Sequence, residues 1–428
     1  MKDDRMDVGR APLNIILGPA GSSGDVHPMV GIGKALKQRG HAVTVATNPH
    51  FGELIQRAGL DFEPVGTAQG YHDALRDPGM WQGTRGFSTV LRYVAPMVRE
   101  GYEVTRRLCR REPTVMVGQM LGLGMRIARE KLNVPMASTH LQPACFASSH
   151  QPAETVFPIP DWSPVWMNRI FTRLLEAVTD RQLAPVVNPI LEELDLPAAR
   201  RIITDWVHSP DRVIGMFPDW YAPQQPDWPP QTILTGFPLY DEDDVVEFPA
   251  EVDEFIESGE PPLVFTPGSA NIHGEAFFVA AADACERLGR NGILLTRYPD
   301  QLPTDLPSRV RHFDYVPFGR LLPRCAALIC HGGIGSVAQG LKAGIPQLVM
   351  PLSFDQPDNA ARLRRLGVGA SLKPRRFTGA RVARVIGDLL ASEEVARACA
   401  AAADRMRQGN PVQETCDAIE ALAEGWRY

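Results

Sequence analysis

The chain has 428 residues, of which 44% are hydrophobic and 22% charged, with a net charge of −6. That length exceeds what one hydrophobic core normally holds, so two domains are expected. The negative charge argues against a general nucleic-acid binder, and seven scattered cysteines without ligand spacing predict neither a disulfide framework nor a metal centre.

In chain order, the opening MKDDRMDVGR is charged and lacks an apolar centre, unlike a signal peptide. No apolar run is long enough to span a bilayer. The expected location is the cytoplasm, with peripheral attachment at the inner face of a membrane left open. A strand is predicted over 13–17 (LNIIL), followed by a glycine loop over 18–28. Pro28 suits a helix start, and a helix over 29–38 should stop at Gly40. Further strands are predicted over 42–47, 114–117, 134–139 and 212–217. Strands alternating with helices of this length read as parallel βαβ units.

Two segments interrupt the alternation. Residues 69–88 carry Tyr71, Trp81 and Phe87, and residues 142–166 carry Phe146, Phe157, Trp162 and Trp166 among prolines. Long loops in compact domains are usually functional or disordered, and the aromatics argue against disorder. They are read as a wall for an apolar acceptor, with Trp81, Phe146 and Trp162 as its members. A packed loop core is the competing reading for any one of them. Residues 241–262 are acidic and proline-bearing, and are read as a solvated linker. A second domain opens with a strand over 263–266 and the turn Pro267-Gly268-Ser269. A helix over 275–287 and a strand over 293–296 follow.

The most informative stretch is 326–360, AALICHGGIGSVAQGLKAGIPQLVMPLSFDQPDNA. A short apolar strand runs into the turn His331-Gly332-Gly333-Ile334-Gly335-Ser336, and then into a helix. Glycines let the backbone approach an anion, and the helix N-terminus then stabilises its charge. The next strand leads to Asp355-Gln356, an acceptor beside an amide, suited to sugar hydroxyls. In an open parallel sheet both turns lie at the carboxyl edge, where ligands bind.

HGGIGS followed by AGIPQLVMPLSFDQPDNA resembles the donor box of the family 1 glycosyltransferases. The segment 201–241, with WVHSP, FPDWYAP and TGFPLYD, is similar to rhamnolipid rhamnosyltransferase-type members. The resemblance implies an α/β architecture of the GT-B fold, two Rossmann-like domains with the active site in the cleft between them. The expected division is an acceptor domain over 1–240, a linker over 241–262 and a nucleotide-sugar domain over 263–405. A final helix over 406–428 should pack back on the first domain.

The resemblance also assigns roles. The diphosphate falls to His331, Gly332, Gly333, Gly335 and Ser336, with Gly268 and the Ser269 hydroxyl helping. Tyr315 takes the position of a base-stacking aromatic, and Val316 that of the residue whose backbone reads the base. Asp355 and Gln356 fall to the sugar. The loop Gly24-Asp25-Val26-His27-Pro28 matches the GDV-x-P form of sterol, rhamnolipid and glycopeptide-antibiotic members, where the aspartate is the base. Asp25 is therefore the base candidate, ahead of His27, and a helix cap is its competing reading. Two departures stand out: Gln119 lies near the position of a histidine-orienting aspartate, and Gln339 replaces the acidic residue that binds ribose in plant members. His140, at a predicted strand end, is a candidate for acceptor or sugar contact. Asp241-Glu242-Asp243 matches the Asp-x-Asp metal pattern but is read as part of the solvated linker.

The expected activity is inverting, metal-independent hexosyl or deoxyhexosyl transfer from a UDP- or dTDP-sugar to a hydroxyl of an apolar small molecule or lipid. No cofactor is expected beyond that donor. The rivals are a sugar-nucleotide epimerase or hydrolase on the same scaffold and a non-catalytic auxiliary protein.

Overall fold

A computed structural model describes residues 11–83, 85–109, 113–155, 159–160, 162–242 and 244–424. Two parallel sheets organise them. The first contains β1 (Asn14–Gly18), β2 (Ala42–Thr47), β3 (Asp61–Pro64), β4 (Thr114–Gln119), β5 (Met136–His140), β6 (Arg212–Gly215) and β7 (Thr232–Leu234), in the order β3-β2-β1-β4-β5-β6-β7. The second contains β8 (Leu263–Thr266), β9 (Gly292–Leu295), β10 (Val310–Phe313), β11 (Ala327–Cys330), β12 (Gln347–Val349) and β13 (Gly369–Ser371), in the order β10-β9-β8-β11-β12-β13. Helices connect the strands, as parallel pairing requires. Strands β1, β4, β8 and β11 are buried along their whole length, which explains their continuous apolar sequence.

Strand order reverses at β1/β4 in one sheet and at β8/β11 in the other. Ligands bind at such switch points because the connections diverge there and leave a crevice. The loops at these points are the Gly18–Ser22 stretch, Gln119, Pro267-Gly268-Ser269 and the HGGIGS turn. The final helix, Pro411–Glu424, returns to the first sheet. There Glu420 Oε1 lies 2.9 Å from His41 Nε2, and Thr415 donates to Thr235 across 2.8 Å.

Three local expectations need correction. The first helix starts at Ser23, so Pro28 lies inside it. Proline there removes the N–H that would reach the Gly24 carbonyl, a loss tolerated near the flexible start of a helix. Residues 69–88 are largely helical, through Ala68–Arg76, Pro78–Trp81 and the start of Gly86–Val94. Thr67 and Asp77 cap the first two by accepting from Gly70 and Gly79 amides. The expected linker contains a helix, Ala250–Glu257, which buries Val252, Phe255 and Ile256. Residues 156–158 and 161 of the 142–166 segment, Phe157 among them, lie outside the described residues.

Candidate active site

Strand β11 ends in a tight turn. Gly332 has φ +94, and a Cβ there would come within 2.5 Å of Val349 Cγ1, so only glycine fits. Gly333 precedes the helix Ile334–Ala343, whose N-terminal N–H groups open toward the cleft. The His331 ring lies against Gly268, where a Cβ would sit 2.6 Å from it. Burial lowers the imidazole to about 4, so it is neutral near pH 7. Its Nδ1 is buried and has no partner among the described residues. At rest the ring therefore offers a hydrogen bond rather than a charge, and the helix N-terminus supplies the positive field.

Residues 353–359 form the adjoining wall. Phe354 adopts φ +57, unusual for a bulky side chain. Gln356 Oε1 accepts from the Leu352 and Ser353 amides at 2.7 and 3.1 Å, so its carbonyl is committed to the loop and its amide nitrogen is the group left to face a ligand. Asn359 donates to Asp355 Oδ2 at 2.7 Å and to the Gly332 carbonyl at 2.9 Å, and accepts from Tyr221 at 2.9 Å. A chain of hydrogen bonds thus joins Tyr221 of the first domain, the Asp355 carboxylate and the Gly332 carbonyl of the HGGIGS turn.

Opposite stands Asp25. Its Oδ2 accepts from Ser22 N at 2.7 Å and Ser22 Oγ at 3.1 Å, as a capping box does. Gln119 fixes the same loop, accepting from Ala20 N at 2.9 Å and donating to the Asp25 carbonyl at 3.0 Å. Burial raises the Asp25 carboxyl to about 6, against the lowering effect of the Ser22 bonds. Burial, with the charge of Asp25 as a further cause, raises Asp355 to about 7. The two glycine turns nearly touch: a Cβ on Gly335 would lie 4.0 Å from Gly24 Cα.

His27 is held at both nitrogens, by the Ser23 carbonyl at 2.8 Å and by Glu242 Oε1 at 3.2 Å. Arg57 binds the other Glu242 oxygen at 2.8 Å. Glu242 is buried with φ +58, so the solvated-linker reading is corrected for this residue. Burial alone would raise its carboxyl, but the His27 and Arg57 bonds hold it below its ordinary value. Asp241 is equally engaged. Its carboxylate accepts from Gly319 N and, at 3.4 Å, from Gln339, and its carbonyl accepts from Tyr315 at 2.6 Å. Asp243 lies outside the described residues. Val316 is buried at the Tyr315 turn, and Arg297 lies 5.1 Å over the Tyr315 ring.

Residues 15–147 match the glycosyltransferase family 28 N-terminal domain, and residues 293–422 match the erythromycin biosynthesis protein CIII-like C-terminal domain. The chain is a GT-B glycosyltransferase of the family 1 type. It is 28% identical over 380 residues to O-mycaminosyltylonolide 6-deoxyallosyltransferase of Streptomyces fradiae, covering 85% of this chain and 86% of that one. It is 27% identical over 393 residues to a sterol 3-beta-glucosyltransferase of Arabidopsis thaliana, covering 85% and 58%. The crystal structure of the glycotransferase of kitacinnamycin superposes with a TM-score of 0.73 at 20% identity, covering 97% of this chain and all of that one.

The aromatics expected to form an acceptor wall do not come together in this glycosyltransferase. His140 is 1% exposed, its Nε2 lying 2.9 Å from His208 Nδ1, and burial pushes it well below the ordinary histidine value. Phe146 stacks on Trp228 at 4.3 Å within the same core. Neither offers a surface, because aromatic neighbours close over both. Trp162 is 78% exposed, on the outer surface. Trp81 does reach the donor side, edge-on to Phe354 with ring centroids 6.1 Å apart. Sequence reasoning passed over Tyr71, His50 and Cys145. Tyr71 stacks on His50 at 4.6 Å, and its phenol is raised by burial, Tyr298 and Asp25. Cys145 is raised by burial and by the charges of Asp355 and Asp25. The aromatic content of residues 69–88 was the available signal for Tyr71; nothing local marked His50.

Proposed function

We propose that this glycosyltransferase is inverting and metal-independent, with Asp25 as its general base. It moves a hexose or deoxyhexose from a UDP- or dTDP-sugar to a hydroxyl of an apolar small molecule or lipid. The observation that carries the reading is the approach of the Asp25 loop to the HGGIGS turn across one cleft. Asp25 takes the acceptor proton while the hydroxyl oxygen attacks the anomeric carbon. The carbon–oxygen bond to the diphosphate breaks on the opposite face, and its electron pair leaves with the phosphate. Charge developing there meets the N–H groups of the helix Ile334–Ala343 and a hydrogen bond from His331. That field stands where other enzymes use a divalent ion. Asp355 and the Gln356 amide hold sugar hydroxyls, and Tyr315 and Gln339 line the nucleoside end.

A named 6-deoxyallosyltransferase and a named sterol glucosyltransferase among the relatives support a hexose or deoxyhexose and an apolar acceptor. Tyr71, packed on His50 and close enough to feel the charge of Asp25, supplies apolar surface for the acceptor. Turnover of UDP- and dTDP-hexoses with apolar alcohols, followed by NMR of the product, tests the reading. The account expects an anomeric configuration opposite to the donor's and full activity in excess chelator. Retention of configuration, or loss of activity to chelator with rescue by magnesium or manganese, contradicts it.

A further inference from the structure

We infer that the outer face of the helix Val165–Glu193 docks the enzyme on an anionic lipid bilayer. The first half of this helix is inverted relative to an ordinary surface helix. Before Leu183 the side chains it buries are Asn168 and Thr179, both polar. Asn168 donates to the Ser149 carbonyl at 3.0 Å and accepts from Ser163 at 2.6 Å, which fixes how the helix leaves the domain. The apolar side chains point away. Trp166 is 64% exposed, Ile170 50%, Leu174 62% and Val178 56%. They recur every fourth residue and form one stripe, and Trp162 is exposed just before the helix begins. An apolar stripe of this length on a helix marks a contact with something apolar.

Charge says what that contact is. Arg169, Arg173 and Arg181 are exposed along the same face. The acids nearby turn inward: Glu176 accepts from Thr204 at 2.7 Å, and Asp180 accepts from the Arg201 and Ile202 amides at 2.7 Å. From residue 162 to 189, the exposed charged side chains among the described residues are all arginines, in a chain whose net charge is −6. Trp166 to Arg181 spans about 22 Å of helix axis. Tryptophan and leucine beside exposed arginines, with the acids of that stretch turned inward, is the pattern of a helix segment lying in a bilayer interface, its arginine heads reaching the phosphates; the exposed acids Glu192 and Glu193 stand at the far end of the helix, away from the apolar stripe. A second copy of the chain would set this arginine-only face against itself, which like charges oppose. The segment before the helix carries Glu154, whose N–H donates to Asp358 of the helix Gln356–Arg365 at 3.1 Å.

Sedimentation of the full chain with vesicles tests the inference without any need for turnover. Binding is expected to phosphatidylcholine vesicles containing phosphatidylglycerol, weakly if at all to phosphatidylcholine alone, and to weaken as salt screens the charges. The double substitution Arg173→Gln with Arg181→Gln should lower partitioning about 25-fold, about fivefold per arginine. Ile170→Ser with Leu174→Ser should abolish it, and because these side chains are exposed, both variants should melt with the parent. Failure of the wild-type chain to bind anionic vesicles at low salt overturns the inference. So does velocity sedimentation showing a dimer that Ile170→Glu splits, which would assign the face to a second copy.

Discussion

Asp25 and Asp355 are half-buried carboxyls with raised pKa values, and this has a readable consequence. Asp25 stands at about 6 and Asp355 at about 7, both raised chiefly by burial. A base must be ionised, so kcat/KM should rise with pH through an acid limb near 6 and level off above it. The charge of Asp25 is among the causes that raise Asp355, whereas Asp355, mostly protonated near pH 6, is not among those that raise Asp25. Asp355→Asn should therefore leave the acid limb near 6 while weakening the intact donor. A pH–rate profile checks this, and a limb moved clearly to lower pH would show that Asp355 governs ionisation of the base. Stability runs the other way: a carboxyl raised in the folded state favours folding at low pH, and that contribution is lost as pH rises from about 4 through 6. Asp25→Asn should thus narrow the loss of stability over that window. A second test separates phosphate from sugar. His331→Ala should weaken binding of the bare nucleoside diphosphate. Gln356→Glu keeps the carbonyl that caps Leu352 and Ser353 but removes the amide N–H groups. It should spare the diphosphate and reduce turnover of the sugar nucleotide; calorimetry that finds equal losses contradicts the division.

At the scale of elements, the linker is the least expected feature. Glu242 ties the Asp25 helix, through His27, to residues 241–242, and Asp241 ties the same dipeptide to Tyr315, Gly319 and Gln339. Glu242→Gln removes one charge from a buried hydrogen-bonded group and should cost about 1–3 kcal/mol of stability. Glu242 is held below its ordinary value, so its contribution is present above the unfolded pKa and is lost as pH falls through the lower folded one. Denaturant melts should therefore show a gap between wild type and variant at neutral pH that closes in acid. A gap independent of pH would mean that packing, not charge, is at work. This network was not legible in the sequence, because an acidic run in a proline-bearing stretch looks the same whether solvated or paired with a histidine and an arginine far away in the chain. The strands and the HGGIGS turn were legible for the opposite reason. Their signals are local: apolar runs of four or five residues, and glycines where a Cβ would strike Val349 or the His331 ring. The first helix was misplaced at its start because Pro28 carries a strong local signal, while the capping box of Ser22 and Asp25 was weaker to the eye.

Across the whole molecule, the site is made by bringing two switch points together. The HGGIGS turn belongs to the second sheet and the Asp25 loop to the first, and residues from both domains hold the seam. Tyr221 bonds Asn359, and Arg362, paired with Asp358 at 2.7 Å, donates to the Tyr221 carbonyl at 3.1 Å. Asn359 stood in the recognised donor box, four residues after Asp355, yet its cross-domain partner could not be read from one chain in order. The acceptor wall was misread for a related reason: aromatics such as Phe146 serve a core or a cleft equally well until the tertiary packing is known. The central claim is that the cleft sets Asp25 against the phosphate turn as general base. Single-turnover kinetics of Asp25→Asn, with nucleoside-diphosphate affinity and melting temperature measured alongside, tests it most directly. Asparagine keeps the size and the capping oxygen, and general-base assistance is worth about 10²–10⁴-fold. The account predicts a fall in rate of at least about a hundredfold, with affinity and melting temperature little changed. Near-full rate in Asp25→Asn, with His27→Ala inactive, would contradict it.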